Sequence, residues 1–393
     1  MELTIEDLRL EAKRNVPKPF YDYLHSGSWT ESTKRSNHDD LQQITFRQKV
    51  AVDMSNRSLA TTMVGQEVTM PVALAPVGFT GMQHARGEIL AAQAAEEFGV
   101  PFTLSTMSIC SIEDVAANTA KPFWFQLYFM KDREFMDDLL RRAREAKCHA
   151  LVVTLDLQME GLRYTDYLDG FAGNDWGPKL SSAVSLAMHP TWGIEMLMGG
   201  KYNFGNLVGH AKGLKGMLDV QEWVGNQFDQ TLSFKELDWI RDRWPGKIIL
   251  KGIIDPTDAI RARDWGADAI LVSNHGGRQL DGAPSTIQAL GPIVDAIGGS
   301  NTEIFMDSGI RSGQDVLRAI ATGAKATFIG RAFNYGLGAH GKAGVTRALE
   351  IIQKDLDMSM AFCGERDIKN VGRHNLFASP YLKNLDGGET QQV

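Results

Sequence analysis

Short apolar runs without polar alternation recur along this chain: MPVALAP (70–76), VPFTLST (100–106), PFWFQLY (122–128), HALVVTLD (149–156), KIILKG (247–252), DAILVSN (268–274), EIFMDSG (303–309) and ATFIGRA (326–332). Such runs mark parallel strands covered on both faces, because a solvated face would place a polar residue at every second position. Between them lie GEILAAQAAEEFG, DREFMDDLLRRAREAK, DPTDAIRARDWG and SGQDVLRAIATG, with apolar residues at helical spacing, aspartate or serine near the starts and glycine stops. Strand–helix units of this kind predict an α/β fold, a (β/α)8 TIM barrel whose functional site forms where the C-terminal strand ends open into loops. MELTIEDLRLEAKRNVPKPF predicts an N-terminal amphipathic helix, and about 90 residues between the fourth and fifth strands predict an insertion. The whole of 1–393 reads as one domain, with 380–393 as a flexible tail.

Composition narrows the function classes. At 43% hydrophobic over 393 residues the chain can bury a large core. With 41 basic against 48 acidic residues and a net charge of −7, it has no positive field for a nucleic-acid backbone. Three cysteines without a C-x-x-C motif predict a reduced, cytosolic compartment and no metal site. No apolar run reaches the roughly 18 residues of a spanning helix.

The chemistry collects at the strand ends. DSGIRSG and IGRAF follow strands seven and eight, where this fold commonly holds a phosphate, and offer Gly309, Gly313, Gly330, Arg311 and Arg331. GLGAHG (336–341) matches a dinucleotide fingerprint but does not directly follow a strand, which assigns it to helix packing. SNHGGRQLDG (273–282) places His275 and Arg278 just past strand six: an imidazole able to take a proton near neutral pH, and a fork suited to a carboxylate. The plainer alternative has His275 bonded to backbone and Arg278 paired with Asp281. Asp156, ending strand four, could support a protonated imidazole or cap a helix. Lys251 ends strand five in an apolar setting, pointing inward to an anionic partner or outward to water.

SNHGGRQLDG, DSGIRSG, GRAF, WFQLY and YDYLHSG, all present, make the chain resemble the FMN-dependent L-2-hydroxy-acid dehydrogenase and oxidase family from Pro17 to about Gly364. The resemblance implies FMN as cofactor and oxidation of an L-2-hydroxy acid. It implies His275 as base, Asp156 as its partner and Tyr128 beside the substrate hydroxyl. Tyr23, Arg163 and Arg278 would bind the substrate carboxylate. Ala75, Pro76, Gly78, Ser105, Gln126, Thr154, Lys251, Ser273 and Asp307 would meet the flavin, and Gly309, Arg311, Gly330 and Arg331 its phosphate.

Within that family, PVGFTGM and STMSIC look most like the membrane-associated bacterial dehydrogenases, with L-lactate favoured over mandelate. TLDLQMEGLRYTD departs from the usual lactate loop at Gln158, Met159 and Glu160 and keeps a bulkier acid open. Residues 176–215 carry Lys179, Lys201, Lys212 and Lys215 against Glu195 alone, mixed with Trp176, Trp192, Met196, Leu197 and Met198. That mixture predicts an interfacial segment on the cytoplasmic face of a bacterial inner membrane, with quinone as acceptor. A soluble cytoplasmic enzyme whose insertion is a lid or oligomer contact, an oxygen-using oxidase, and a barrel lyase or isomerase with Lys251 as Schiff-base amine are the alternatives.

Overall fold

The computed structural model describes residues 2–169, 176–211, 223 and 225–382. Eight parallel strands follow the predicted order: β1 Val72–Leu74, β2 Thr103–Ser105, β3 Trp124–Tyr128, β4 Ala150–Thr154, β5 Lys247–Ile253, β6 Ala269–Val272, β7 Glu303–Met306 and β8 Ala326–Ile329. They are paired in the sequence β1–β8–β7–β6–β5–β4–β3–β2. A parallel bridge between Leu74 and Phe102 closes the barrel. Most of these strands end one to three residues before the apolar runs do. The polar residues at the C-terminal ends have left the ladder for the loops, where side chains rather than backbone set the conformation.

Along each strand, successive side chains point to opposite faces. Ala73, Trp124, Val152, Ile249, Leu271, Phe305 and Phe328 fill the barrel axis, whereas Leu74, Leu151, Leu250, Ile270 and Met306 face the helices. A hairpin of Thr61–Met63 with Gln66–Val68 plugs the N-terminal mouth: Met63 and Val64 join the axial core, and Trp124 Nε1 donates to Gln66 Oε1 at 2.8 Å. The opposite mouth is thereby the one available for chemistry. A bulge between Lys251 and Ile253 shifts the β5–β6 register. Its extra residue, Gly252, has φ +102°, and a Cβ there would meet Asp156 Cβ at 2.7 Å.

The N-terminal segment forms two helices, Ile5–Asn15 and Lys18–His25, because Pro17 interrupts the first. GLGAHG begins in the helical segment Arg331–Phe362 and ends on its break at His340 and Gly341, and Gly338 packs on Val16 and Ala12. The insertion contributes helices Trp176–Ala187 and Pro190–Gly199. Lys18 N donates to Ser185 Oγ at 2.9 Å and ties the first of them to the N-terminal helices. Lys212 and Lys215 lie outside the described residues, as does 383–393 of the expected tail. Tyr381 and Leu382, near the start of that tail, pack against the core.

Candidate active site

Two positions beyond the last axial core residue of each strand, the inward direction turns polar or small. Ala75, Ser105, Gln126, Thr154, Lys251, Ser273, Asp307 and Gly330 stand there, one from each strand end. Ser105 Oγ donates to Gln126 Oε1 (3.1 Å), and Gln126 Nε2 to Thr154 Oγ1 (3.0 Å). Lys251 Nζ donates to Ser273 Oγ at 2.9 Å and lies 3.7 Å from Asp307 Oδ2. Lys251 therefore points inward and buried, not out to water. Alternation alone dictates this tier, because the strand phase that aims Ile249 at the axis aims Lys251 there too.

Tyr128, Asp156 and His275 stand two residues further along β3, β4 and β6. Nδ1 of His275 lies 3.1 and 3.2 Å from the two carboxylate oxygens of Asp156, and the His275 amide donates to Ser273 Oγ at 3.1 Å. His275, Gly276 and Gly277 are all left-handed, with φ of 59°, 69° and 71°. A non-glycine residue held in that region is a strained turn, here over-determined by the packing around it. At Gly276 the left-handed backbone favours glycine, and a Cβ would meet Arg331 Nη1 at 2.7 Å and press on that guanidinium.

Burial pushes the His275 pKa below its ordinary value, with the Lys251 and Arg278 charges adding to that, against the pull of Asp156. For Asp156, burial would raise the pKa, but His275, whose protonated form the carboxylate attracts and whose Nδ1–H it accepts, together with the Lys251 charge, outweighs burial and holds the carboxylate low. The neutral imidazole beside an ionised carboxylate is thus the resting pair. Burial raises the Tyr128 phenol and keeps it protonated.

The cationic groups reach the cleft from several elements. Arg278 donates to the carbonyls of Tyr23 and Ser26, and its guanidinium lies 4.7 Å from the Tyr23 ring centroid. Its expected alternative partner, Asp281, instead accepts from Thr30, Ser32 and Thr33 at the start of helix Ser32–Gln42. Arg163 pairs with Asp166 at 2.6 Å and lies 5.9 Å from the Tyr23 ring. Arg331 donates to the carbonyls of Leu24, Gly276 and Ser26, and burial lowers its pKa to about 10. Among the described residues the Arg311 guanidinium donates to the neighbouring Ile310 carbonyl at 2.7 Å, one carbonyl against the three on Arg331, so it is the freer of the two for an anion.

One cleft gathers Tyr23, Ala75, Pro76, Gly78, Tyr128, Lys251, His275, Arg278, Asp307, Gly309, Arg311, Gly330 and Arg331. Ser105, Gln126 and Thr154 are buried in the tier beneath. Asp156 and Ser273 line a separate cleft on the far side of the His275 loop. Such a site can fix a carboxylate, take a proton with His275 and hold an anionic group at the ends of β7 and β8.

Some contributors carry no sequence signal of their own. Asn37 and Asn274 exchange amide hydrogen bonds of 2.8 and 2.7 Å, docking helix Ser32–Gln42 on the His275 loop. Ser308 accepts from the Gly276 amide (3.0 Å) and donates to Asp307 (2.7 Å). Buried Glu88 accepts from the amides of Gly81 (2.8 Å) and Ile109 (2.9 Å), clamping the loop that carries Gly78.

The insertion corrects one expectation. Trp192 and Met196 do not face outward: Trp192 stacks on Phe20 with centroids 5.2 Å apart, and Met196 is 6% exposed. Lys201 is paired with Asp114 at 2.8 Å. Outward instead go Leu180, Val184, Met188, Ile194, Leu197 (77% exposed) and Met198 (83%). Among the described residues no helix is long and apolar enough to cross a membrane.

Comparison with known proteins places this geometry. The L-lactate dehydrogenase of Azorhizobium caulinodans is 45% identical over 375 residues, 95% of this chain and 98% of that one. That of Vibrio cholerae (strain M66-2) is 45% identical over 371 residues, 94% and 97% of the two chains. Among solved structures, the monotopic membrane protein (S)-mandelate dehydrogenase superposes with a TM-score of 0.89 at 33% identity, covering 95% of this chain and 99% of that one. Residues 12–378 match the FMN-dependent dehydrogenase family, and the chain belongs to it.

Proposed function

We propose that this chain oxidises L-lactate to pyruvate and passes the electrons to a quinone at the cytoplasmic face of a bacterial inner membrane. The observation that carries the reading is the His275–Asp156 contact, with His275 and Arg278 opening on one cleft. The L-lactate dehydrogenases similar to it supply the substrate.

FMN is the family's cofactor, and the residues present fit it. Arg311 and Arg331 make no ion pair among the described residues, so two cations await an anion. The helix starting at Arg331 has no side-chain cap and no acid in its first turn, whereas the one starting at Gly313 is closed by the Ser312–Asp315 capping box. An uncapped helix start suits a phosphate, which Gly309, Arg311, Gly330 and Arg331 would hold. Ala75, Pro76, Gly78, Ser105, Gln126, Thr154, Ser273 and Asp307 would hold the ring, with Lys251 against its electron-rich edge. Bound FMN supplies the two-electron acceptor that alcohol oxidation needs.

Arg278, Arg163 and Tyr23 fix the substrate carboxylate, a fork-shaped donor being the better match for two oxygens. Tyr128 stands by the substrate hydroxyl. Neutral His275 takes a proton from the substrate, and Asp156 stabilises the imidazolium that results. The outward apolar side chains of the insertion dip into the headgroup layer, with exposed Lys179 nearby. The test is anaerobic mixing of the holoenzyme with L- and D-lactate and (S)-mandelate while flavin absorbance is followed. Bleaching by L-lactate and not by D-lactate is expected; no bleaching by any L-2-hydroxy acid overturns the reading.

A further inference from the structure

A further cleft, of about 320 Å³, lies between the N-terminal helices, the loop after β1 and the insertion helix Pro190–Gly199. Its lining includes Gln83, His84, Met188, His189, Trp192 and Glu195. Gln83 is 2% exposed. Its Nε2 donates to the Phe20 carbonyl at 2.8 Å, while its Oε1 is buried with no partner. An orphaned buried acceptor costs about 1–3 kcal/mol unless a ligand donates to it.

We infer that this cleft binds the ring of the quinone that reoxidises the enzyme, an inference that rests on the membrane-linked reading above. Four observations carry it. The indole of Trp192 is fixed by stacking on Phe20 and by donating to the Met82 carbonyl at 3.0 Å, which makes a rigid plate for a flat ring. His84 and His189 each use Nδ1 on a carbonyl, of Ala85 (3.1 Å) and Ser185 (2.7 Å), which turns Nε2 away from the backbone, toward Glu195 in the case of His84. Met188, at the rim, is itself one of the outward apolar side chains, so the mouth opens beside the face proposed to enter the headgroup layer. Glu195, 3.7 Å from His84 Nε2, and Arg14 on the same lining give the cleft one charge of each sign, so it selects neither an anion nor a cation and a neutral ring is the better occupant.

The active-site cleft and this one are joined by short stretches of chain. Gly78 lines the first, and Gln83 and His84 the second, at opposite sides of the turn Thr80–Gln83. Phe20, against Trp192, shares helix Lys18–His25 with Tyr23 and Leu24 of the first cleft, three and four residues on and so on one face. Reduction of a quinone there would take two electrons, which bound FMN would supply, and two protons, one given up by the reduced cofactor and one from solvent, turning both C=O groups into C–OH. With Nδ1 donating to a carbonyl, each neutral imidazole presents Nε2 as an acceptor, so His84, His189 and Gln83 Oε1 would receive the O–H groups of the hydroquinone product.

The test uses the holoenzyme and a ubiquinone with a single isoprene unit. Binding is read as quenching of tryptophan fluorescence, of which a distinct saturable part should disappear in Trp192→Phe. Independently, the enzyme is reduced with dithionite, which needs no hydroxy acid, and its reoxidation is timed with the quinone and with ferricyanide. In Thr191→Trp, which fills the rim, the quinone-to-ferricyanide rate ratio should fall about tenfold or more. An unchanged ratio in Thr191→Trp together with unchanged quenching in Trp192→Phe overturns the site. A variant that loses binding to anionic vesicles at an unchanged ratio also overturns it, assigning the cleft to a lipid headgroup. Failure of L-lactate to bleach the flavin, with these results intact, sinks the substrate and not the cleft.

Discussion

Around His275, charged side chains are buried in a barrel mouth; along Leu180–Met198, apolar side chains stand in the open. The first region answers its own burial. Lys251 has Ser273 and Asp307, Asp156 has His275, and Arg331 has three carbonyls. The second has no such answer within the described chain, since Leu197 and Met198 meet water. Buried charge with partners is what a reaction site needs, and exposed apolar surface without partners is what an interface needs. The regions should therefore fail separately when broken.

The largest effect is expected at the imidazole. His275→Gln should slow anaerobic flavin reduction by L-lactate about 10²-fold or more, while the purified protein stays yellow. A rate near that of the parent would remove His275 from the reaction. Next comes the insertion: Leu197→Glu combined with Met198→Glu should lower the fraction sedimenting with anionic liposomes about tenfold, with flavin reduction within about twofold. Equal loss of both would show that the two regions are not separable.

Asp156→Asn tests the coupling within the site. Because burial depresses His275 while Asp156 raises it, the acid limb of flavin reduction should lie below pH 6.5 in the parent. Removing the carboxylate should move that limb lower still and drop the plateau about tenfold. A limb moving to higher pH would contradict the assignment.

The smallest effect concerns folding. His25, hydrogen-bonded to Tyr335 at 2.8 Å, has its pKa lowered by burial from 6.5 to about 3. The unfolded chain then binds the extra proton between those values, so stability falls as pH drops below 6.5. Discounting for partial exposure, the loss is on the order of 1 kcal/mol at pH 5. His25→Gln should flatten the pH dependence of the urea midpoint between pH 7 and 5; an unchanged slope would exclude His25 as its source.

Sequence was most informative where local pattern and global fold agree. The eight apolar runs mark the strands because both faces of a parallel sheet are covered, and strand phase then brings Lys251, Ser273 and Asp307 to one tier. SNHGGRQLDG announces His275 and Arg278 because imidazole and guanidinium beside two glycines serve no strand or helix. Less legible were pairings across large sequence separations. Asn37 with Asn274 and the three carbonyls on Arg331 look like ordinary polar residues until the chain is folded. Trp192 was read as outward because composition marks an amphipathic segment without saying which side chain turns in; its stacking on Phe20 decides that.

The bulge in β5 has a consequence for variation at a single position. Gly252 resets the alternation of β5, so that Lys251 faces the axis beside Leu271 while Ile253 faces the helices beside Val272. The carboxylate of Asp156 occupies the volume that any side chain at 252 would claim. The pair proposed to handle the proton is thus seated in an alcove that the one amino acid lacking a Cβ leaves to Asp156. A Cβ at position 252, 2.7 Å from Asp156 Cβ and 2.9 Å from its amide nitrogen, forces one strand end to move against the other, so a descendant of this chain that admits a side chain there must re-place the carboxylate beside His275.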